Sequence, residues 1–417
     1  MKRFLQSFSH NRTLRAQVVL VGGNFCANIG AYFYHLSMGK LLIPSDYGAL
    51  QSLISLLNIF TVPLLTLNFI ITKFVASYVG RGEYAKISYL FHSMERILLG
   101  ISVVGGLVFL LFSGPILGFL HIDSWINFLF LDIALFFGLL TILNRATLQG
   151  LSKFGSLTIA QFIEAYGKLL LGFVAVSIGF RVPGAFGAFV LITFVSYAYT
   201  RGVLKHVVPK KETSASIPIR QMAKYGILSF FMTVSMISLY NADVVLVRHF
   251  FSSYESGLYA ALSVLGKIIF FGSAPVSVAM FPLVSEAQAR GEKYHRIFLQ
   301  SLFFTLLIAG VTTVLFSFYP TTVLRVLVGA KYLAAAPYLR MFSVFLSLCA
   351  VVNLISNFFL SIHKTLPAYF LGIAAILQIL LISFIHVNLF VVILISLSIL
   401  SVLSIVFLLY YVAISRN

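Results

Sequence analysis

Charge is what this sequence has least of. Only 10% of its 417 residues are charged, and just 11 of those are acidic. A soluble protein of this size needs far more surface charge, so the composition excludes that class and points to an integral membrane protein. Cysteine is nearly absent too: Cys26 and Cys349 both lie in apolar runs, which rules out a disulfide framework. The nine histidines are scattered without ligand spacing, so no zinc site and no metal is implied. A P-loop is missing, which removes an ATPase reading and any cofactor that would go with it.

What the sequence has in abundance is apolar residues, at 60% with a mean hydropathy of +1.02. Apolar runs of about 20 residues recur, with Gly and Pro inside several, which is the composition of a helical bundle rather than a β-barrel. The formal charge of +18 is explained by basic cytoplasmic loops, with no need for nucleic acid. The basic start, MKRFLQSFSHNRTLRAQ, precedes a long apolar run from Val18 to Leu36 that no small-x-small cleavage site closes. This is read as an uncleaved first span.

Twelve spans are predicted, near 16–37, 48–72, 97–120, 125–143, 156–179, 183–203, 222–247, 257–284, 297–319, 337–361, 367–385 and 389–413. Trp125, the single tryptophan, opens the fourth as an interfacial anchor. A polar loop with Arg81, Gly82, Glu83 and Lys86 leads into the third, and a polar turn with Glu255 and Gly257 separates the seventh from the eighth. With this count, 21 of the 29 basic residues share a side with the N-terminus, six lie opposite, and Lys168 and Lys267 fall within spans. The positive-inside bias then places both termini in the cytoplasm of a plasma (inner) membrane. Short outer loops argue against a polymerase or ligase, since the longest, 320–336, carries only Arg325 and Lys331.

The chain also resembles itself. At a shift of 209 residues, Gly48 falls on Gly257, Leu53 on Leu262, Val75 on Val284 and Arg81-Gly82-Glu83 on Arg290-Gly291-Glu292, among nine identities in 45 positions. Asp46 faces Glu255. Repeats six spans apart keep the same orientation, so a fold of two parallel six-helix lobes is expected, with substrate between them. The polar stretch 205–220 reads as a cytoplasmic linker between lobes 1–204 and 221–417.

The segments LLIPSDYGAL (41–50), LQGLSKFG (148–155), NADVVLVRHFFSSYESGLYAALSVLGK (241–267) and VLVGAKYLAAAPYLR (326–340) resemble the polysaccharide-type exporters of the multidrug/oligosaccharidyl-lipid/polysaccharide (MOP) superfamily. The best-known members are the Wzx-type flippases. The resemblance implies a V-shaped all-α bundle that moves a lipid-linked saccharide, such as a polyprenyl-pyrophosphate-linked oligosaccharide, from the cytoplasmic to the outer leaflet. Proteins of polysaccharide assembly would be its partners in the bilayer. A cation-coupled drug or small-solute exporter of the same superfamily, or a non-transporting scaffold, are the other readings.

A pyrophosphate head group calls for cations in low dielectric. Lys267, Lys168, Arg248 at the outer lip and Arg145 at the inner lip are the candidates. Against them stand snorkelling for both arginines and neutralisation of Lys168 by Glu164, four residues earlier on the same helical face. Asp132, Glu164 and Asp243 are candidates for H⁺ or Na⁺ coupling, or for charge pairing, as between Asp243 and Arg248. Asn24, Asn28, Asn68 and Asn241 suit sugar hydroxyls or interhelical hydrogen bonds. Pro63 and Pro275, in the second and eighth spans, suit hinges. At the positions equivalent to Arg248 and Lys267 the first lobe has Gly39 and Asn58, which favours the second lobe for the anionic head group.

Overall fold

The computed structural model describes residues 12–61, 65–121, 125–208, 230–289, 292–362 and 364–415. Among them every regular element is a helix. The order begins α1 (Arg12–Leu41), α2 (Pro44–Thr61), α3 (Leu65–Gly80), α4 (Tyr84–Leu111), α5 (Ser113–Leu120), α6 (Trp125–Gly150), α7 (Phe154–Ser177) and α8 (Arg181–Val207). It continues with α9 (Phe230–Leu239), α10 (Ala242–Phe250), α11 (Ser253–Ala289), α12 (His295–Phe318) and α13 (Pro320–Leu327). A short 3₁₀ turn (Ala330–Ala335) leads into α14 (Ala336–Ser361), followed by α15 (Leu366–Phe384) and α16 (Leu389–Ser415).

Ten stretches are long and apolar enough to cross a membrane, α2 and α3 counting together, and the bent pair α9–α10 makes an eleventh. The 30-residue α1 lies where the first span was expected, and about 45 Å of helix is ample to cross a bilayer. The protein is a multi-pass membrane protein.

Several ends differ from the sequence reading. α4 starts at Tyr84, not near 97, so Lys86 lies in its first turn and pairs with Glu83 at 2.8 Å. Ile87, Leu90, Phe91, Met94 and Leu98 recur at helical spacing and are all buried, and this apolar stripe carries the helix through its charged start. Only a tight turn separates α3 from α4, with Gly82 at φ 72°, a conformation that favours glycine. Likewise Glu255 and Gly257 belong to α11. Ser252 Oγ donates to Glu255 Oε2 (2.7 Å) and accepts from the Glu255 amide (3.3 Å), while Glu255 Oε2 also accepts from the Ser252 amide (3.2 Å). That reciprocal capping box starts the helix at Ser253.

The chain forms two compact units, Met1–Leu42 with Phe60–Gly226, and Ile43–Ile59 with Ile227–Asn417. Most of α2 thus belongs to the second. Of the expected linker, 205–207 continue α8 and the part from 209 on lies outside the described residues.

The duplication is written in the helix bounds. α2 begins at Pro44 and α3 ends at Gly80, while α11 runs from Ser253 to Ala289, each bound displaced by the same 209 residues. The pair α5 and α13 are both eight residues long, α6 and α14 both 26, α8 and α16 both 27. Packing repeats as well. In the first unit α6 packs on α3, α4 and α8, and α7 on α1 and α8; in the second α14 packs on α11, α12 and α16, and α15 on α10 and α16. Val75 and Val284 are buried in their respective cores. Of the matched Arg-Gly-Glu tripeptides, Arg290 and Gly291 lie outside the described residues, as does Pro63. Pro275 sits within the unbroken helical run of α11, the 37 residues from Ser253 to Ala289.

Candidate functional site

The first unit has an open-sided cavity of about 180 Å³ lined by Asn28, Arg145, Gln161, Glu164 and Lys168, with Ala27, Ala31 and Ala165 leaving it room. Three helices build it: α1, α6 and α7. Gln161, Glu164 and Lys168 lie at spacings of three and four on α7, one face of the helix. Arg145 enters from α6 and donates through Nη2 to both Glu164 Oε2 and Ser196 Oγ, the latter at 3.1 Å. Arg145 is therefore tied into an interhelical ion pair rather than snorkelling to an interface.

Glu164 pairs with Arg145, not solely with its helical neighbour Lys168. The Lys168 ammonium instead lies over two aromatic rings, 5.1 Å from the Phe189 centroid and 5.7 Å from that of Tyr34. Cation–π contacts of this kind attract a cation that is held away from water. Tyr34 is itself fixed, fully buried and donating to the Ala185 carbonyl at 3.0 Å. With two cations and one carboxylate, the cavity carries a formal excess of positive charge. Four of the residues singled out in the sequence thus meet in one place, and Gln161, Ser196 and Tyr34 join them unannounced.

The second unit holds a different cluster at the break between α9 and α10, which are bent by 42°. A broken helix strands carbonyls in an apolar interior, and these must find other donors. Asn241 Nδ2 donates to the Ile237 carbonyl at 3.1 Å, and Gln378 Nε2 donates to the Leu239 carbonyl at 3.1 Å and to Ser396 Oγ at 2.8 Å. Lys267 donates to Asn241 Oδ1 at 3.0 Å, with its Nζ 5.8 Å from the Tyr240 ring centroid. Asp243, wholly buried in the first turn of α10, accepts from the Tyr259 hydroxyl at 2.7 Å and from the Val244 amide at 2.9 Å. Its hydrogen-bond partner is thus Tyr259 rather than Arg248, which lies buried in the last turn of the same helix. Here the sequence reading found Asn241, Asp243 and Lys267. It missed Tyr259 and Gln378, whose types carry no signal until the break that needs them is seen.

The remaining candidates stand apart. Asp132 lies against Gly106, where a Cβ would come 3.1 Å from Oδ1, and about 20 Å along α6 from Arg145. Asn68 accepts from Thr72 at 3.2 Å within α3, and Thr72 also donates to the Ala146 carbonyl, so this amide serves helix packing. The Asn24 side chain is outside the described residues. Among the described residues no group of histidine, cysteine or carboxylate residues could hold a metal ion.

A solved multidrug-resistance MATE-family transporter of the MOP superfamily, in an inward-facing conformation, matches with a TM-score of 0.74 at 14% identity, over 92% of this chain and 95% of that one. The lipid II flippase MurJ in an inward closed conformation matches with a TM-score of 0.72 at 13% identity, over 95% and 87%. A MOP-superfamily transporter from Pyrococcus furiosus, described as having a binding pocket of reversed polarity, matches with a TM-score of 0.60 at 14% identity, over 95% and 92%. No curated protein matches in sequence. The model of the polysaccharide biosynthesis protein family matches residues 38–337, and the chain belongs to that family.

Proposed function

We propose that this protein is a flippase that carries a lipid-linked oligosaccharide from the cytoplasmic to the outer leaflet of the plasma (inner) membrane by alternating access, without an enzymatic step. The observation that carries this reading is the cavity of the first unit, where Arg145 and Lys168 outnumber Glu164 inside a fold shared with a lipid II flippase. Keeping two cations in an apolar bundle is costly, and an anionic substrate is the simplest partner that offsets it. Lys267 is the second proposed contact, placed by Asn241 at the helix break.

Coupling to H⁺ or Na⁺ would act at a carboxylate. Of the three candidates, Glu164 and Asp243 already accept hydrogen bonds from Arg145 and Tyr259, and Asp132 lies away from the cavity. A drug exporter of the same fold would be served better by carboxylates than by lysines.

The test is translocation of a fluorescent undecaprenyl-pyrophosphate oligosaccharide in proteoliposomes. Wild-type protein should move it, and Arg145→Ala and Lys168→Ala should each slow it at least about tenfold, the equivalent of one lost charge-assisted contact. Extrusion of cationic dyes with no movement of the lipid-linked sugar would overturn the reading in favour of a drug exporter.

A further inference from the structure

We infer that Asn353 and Asn357 on α14 form a subsite of the second unit for a neutral sugar ring of the carried glycan, which they hold through two neighbouring hydroxyls. This inference rests on the flippase reading above and deepens it. Three observations converge on one chemistry.

The first is exposure. The stretch that ends in α14 is the most deeply buried of the ten that can cross a membrane, and α14 is packed by α11, α12 and α16. Asn353 and Asn357 are nonetheless only half-buried, four residues apart on one face of the helix. Asn353 sits about 12 Å from the helix end at Ser361, inside the depth of a hydrocarbon core. An amide turned to lipid at that depth is costly, so this face lines a polar path.

The second is the pattern of open hydrogen-bonding groups. Asn357 Nδ2 donates to the Asn353 carbonyl at 2.9 Å and reaches Asn353 Oδ1 at 3.3 Å. This leaves Asn353 Nδ2 as a donor and Asn357 Oδ1 as an acceptor, neither with a partner among the described residues and both open to water. A donor and an acceptor held side by side fit two neighbouring hydroxyls, each of which both accepts and donates. Fully ionised phosphate offers acceptors only, and a sodium ion would leave the Asn353 donor idle.

The third is charge and place. From Met341 to Ile362 the chain carries no charged residue, so an occupant of this face meets a neutral wall. Cys349, one turn before Asn353 on the same face, lies close enough to Asp243 and Lys267 to feel both charges. The asparagines therefore continue the face that packs on the helix-break cluster, about 6 and 12 Å along α14 from Cys349. A head group at Lys267 and a neutral sugar at the asparagines can thus belong to one substrate.

The experiment is saturation-transfer NMR on the full chain in nanodiscs with three probes: glucose, inorganic pyrophosphate and sodium chloride. Glucose should bind, and neither pyrophosphate nor sodium should displace it. Asn353→Leu and Asn357→Leu should each weaken glucose about fivefold, the equivalent of one lost hydrogen bond. Neither should lower the melting temperature, because neither amide braces another helix. Asn353→Gln, which keeps the amide but moves it, should weaken glucose by a smaller factor and guards against a leucine variant that fails to fold. Absence of glucose binding would overturn the subsite. So would glucose binding that none of the three variants weakens, and displacement of glucose by sodium or pyrophosphate would give the pair to an ion instead. Each of these results leaves the flippase reading standing if the proteoliposomes still move lipid-linked sugar, whereas glucose binding without translocation keeps the subsite and sinks the flippase.

Discussion

Gly48 and Gly257, equivalent positions 209 residues apart, touch within the second unit. A Cβ on Gly48 would lie 2.7 Å from Ser256 Oγ and 2.8 Å from the Gly257 nitrogen, and one on Gly257 would run into the Pro44 carbonyl. Next to them Tyr47 packs edge-on against Tyr332, ring centroids 5.8 Å apart, both wholly buried. Small residues of this kind let helix backbones approach closely where lipid provides no hydrophobic drive.

Gly257→Ala is therefore expected to destabilise the protein by about 1–3 kcal/mol, since the obstacle is backbone and cannot rotate away. Gly48→Ala meets a serine hydroxyl as well as backbone and should cost less. The two changes press on the same contact, so their effects should not add. Melting temperatures of the purified protein and both variants, singly and combined, check this.

Removing one member of the Arg145–Glu164 pair leaves a partly buried charge behind. Glu164→Ala should destabilise by up to about 3–5 kcal/mol, less in proportion to the water that reaches the pair, and the double change Arg145→Ala with Glu164→Ala should recover part of that loss. Thermal unfolding of the three variants reads it. Equal destabilisation of the single and double variants would show that the pair is not coupled.

Lys267 does two things at once, donating to Asn241 and carrying charge. Lys267→Ala is expected to reduce export without unfolding the protein. Lys267→Gln, which keeps a donor but no charge, should hold the stability of the wild type and still lose export. Should the glutamine variant export normally, the lysine is a brace for the helix break and not a substrate contact.

Gln378 closes the break from the other side, bridging the Leu239 carbonyl and Ser396. Gln378→Leu strands a buried carbonyl and should cost about 1–3 kcal/mol. Faster amide exchange confined to residues around 237–245 would locate the damage at the break. Unchanged exchange there would show that the carbonyl finds another donor.

Much of this was legible in the sequence, for identifiable reasons. Spans show because lipid demands about 20 apolar residues in a row, and the repeat shows because Arg-Gly-Glu is polar and recurs in register amid an apolar background. Arg145, Glu164, Lys168 and Asn28 stood out because charge and amides are rare in such runs. Gln161 lies in the same apolar run, between Ala160 and Phe162, and was passed over although it is an amide like Asn28. The start of α4 was misplaced because a hydropathy reading treats its charged first turns as loop, although the buried stripe from Ile87 to Leu98 is helical.

By itself, then, the sequence determined the class, the duplication and a short roster of costly polar residues, all of which follow from one-dimensional rules of burial in lipid. Which of those residues meet was decided only by tertiary structure. Arg145 and Glu164 are 19 positions apart, Lys267 and Asn241 are 26 apart, and Gln378 reaches back 139. Hydrogen bonds are short and directional, so pairs of that kind exist only once packed helices have brought both ends within about 3 Å of each other.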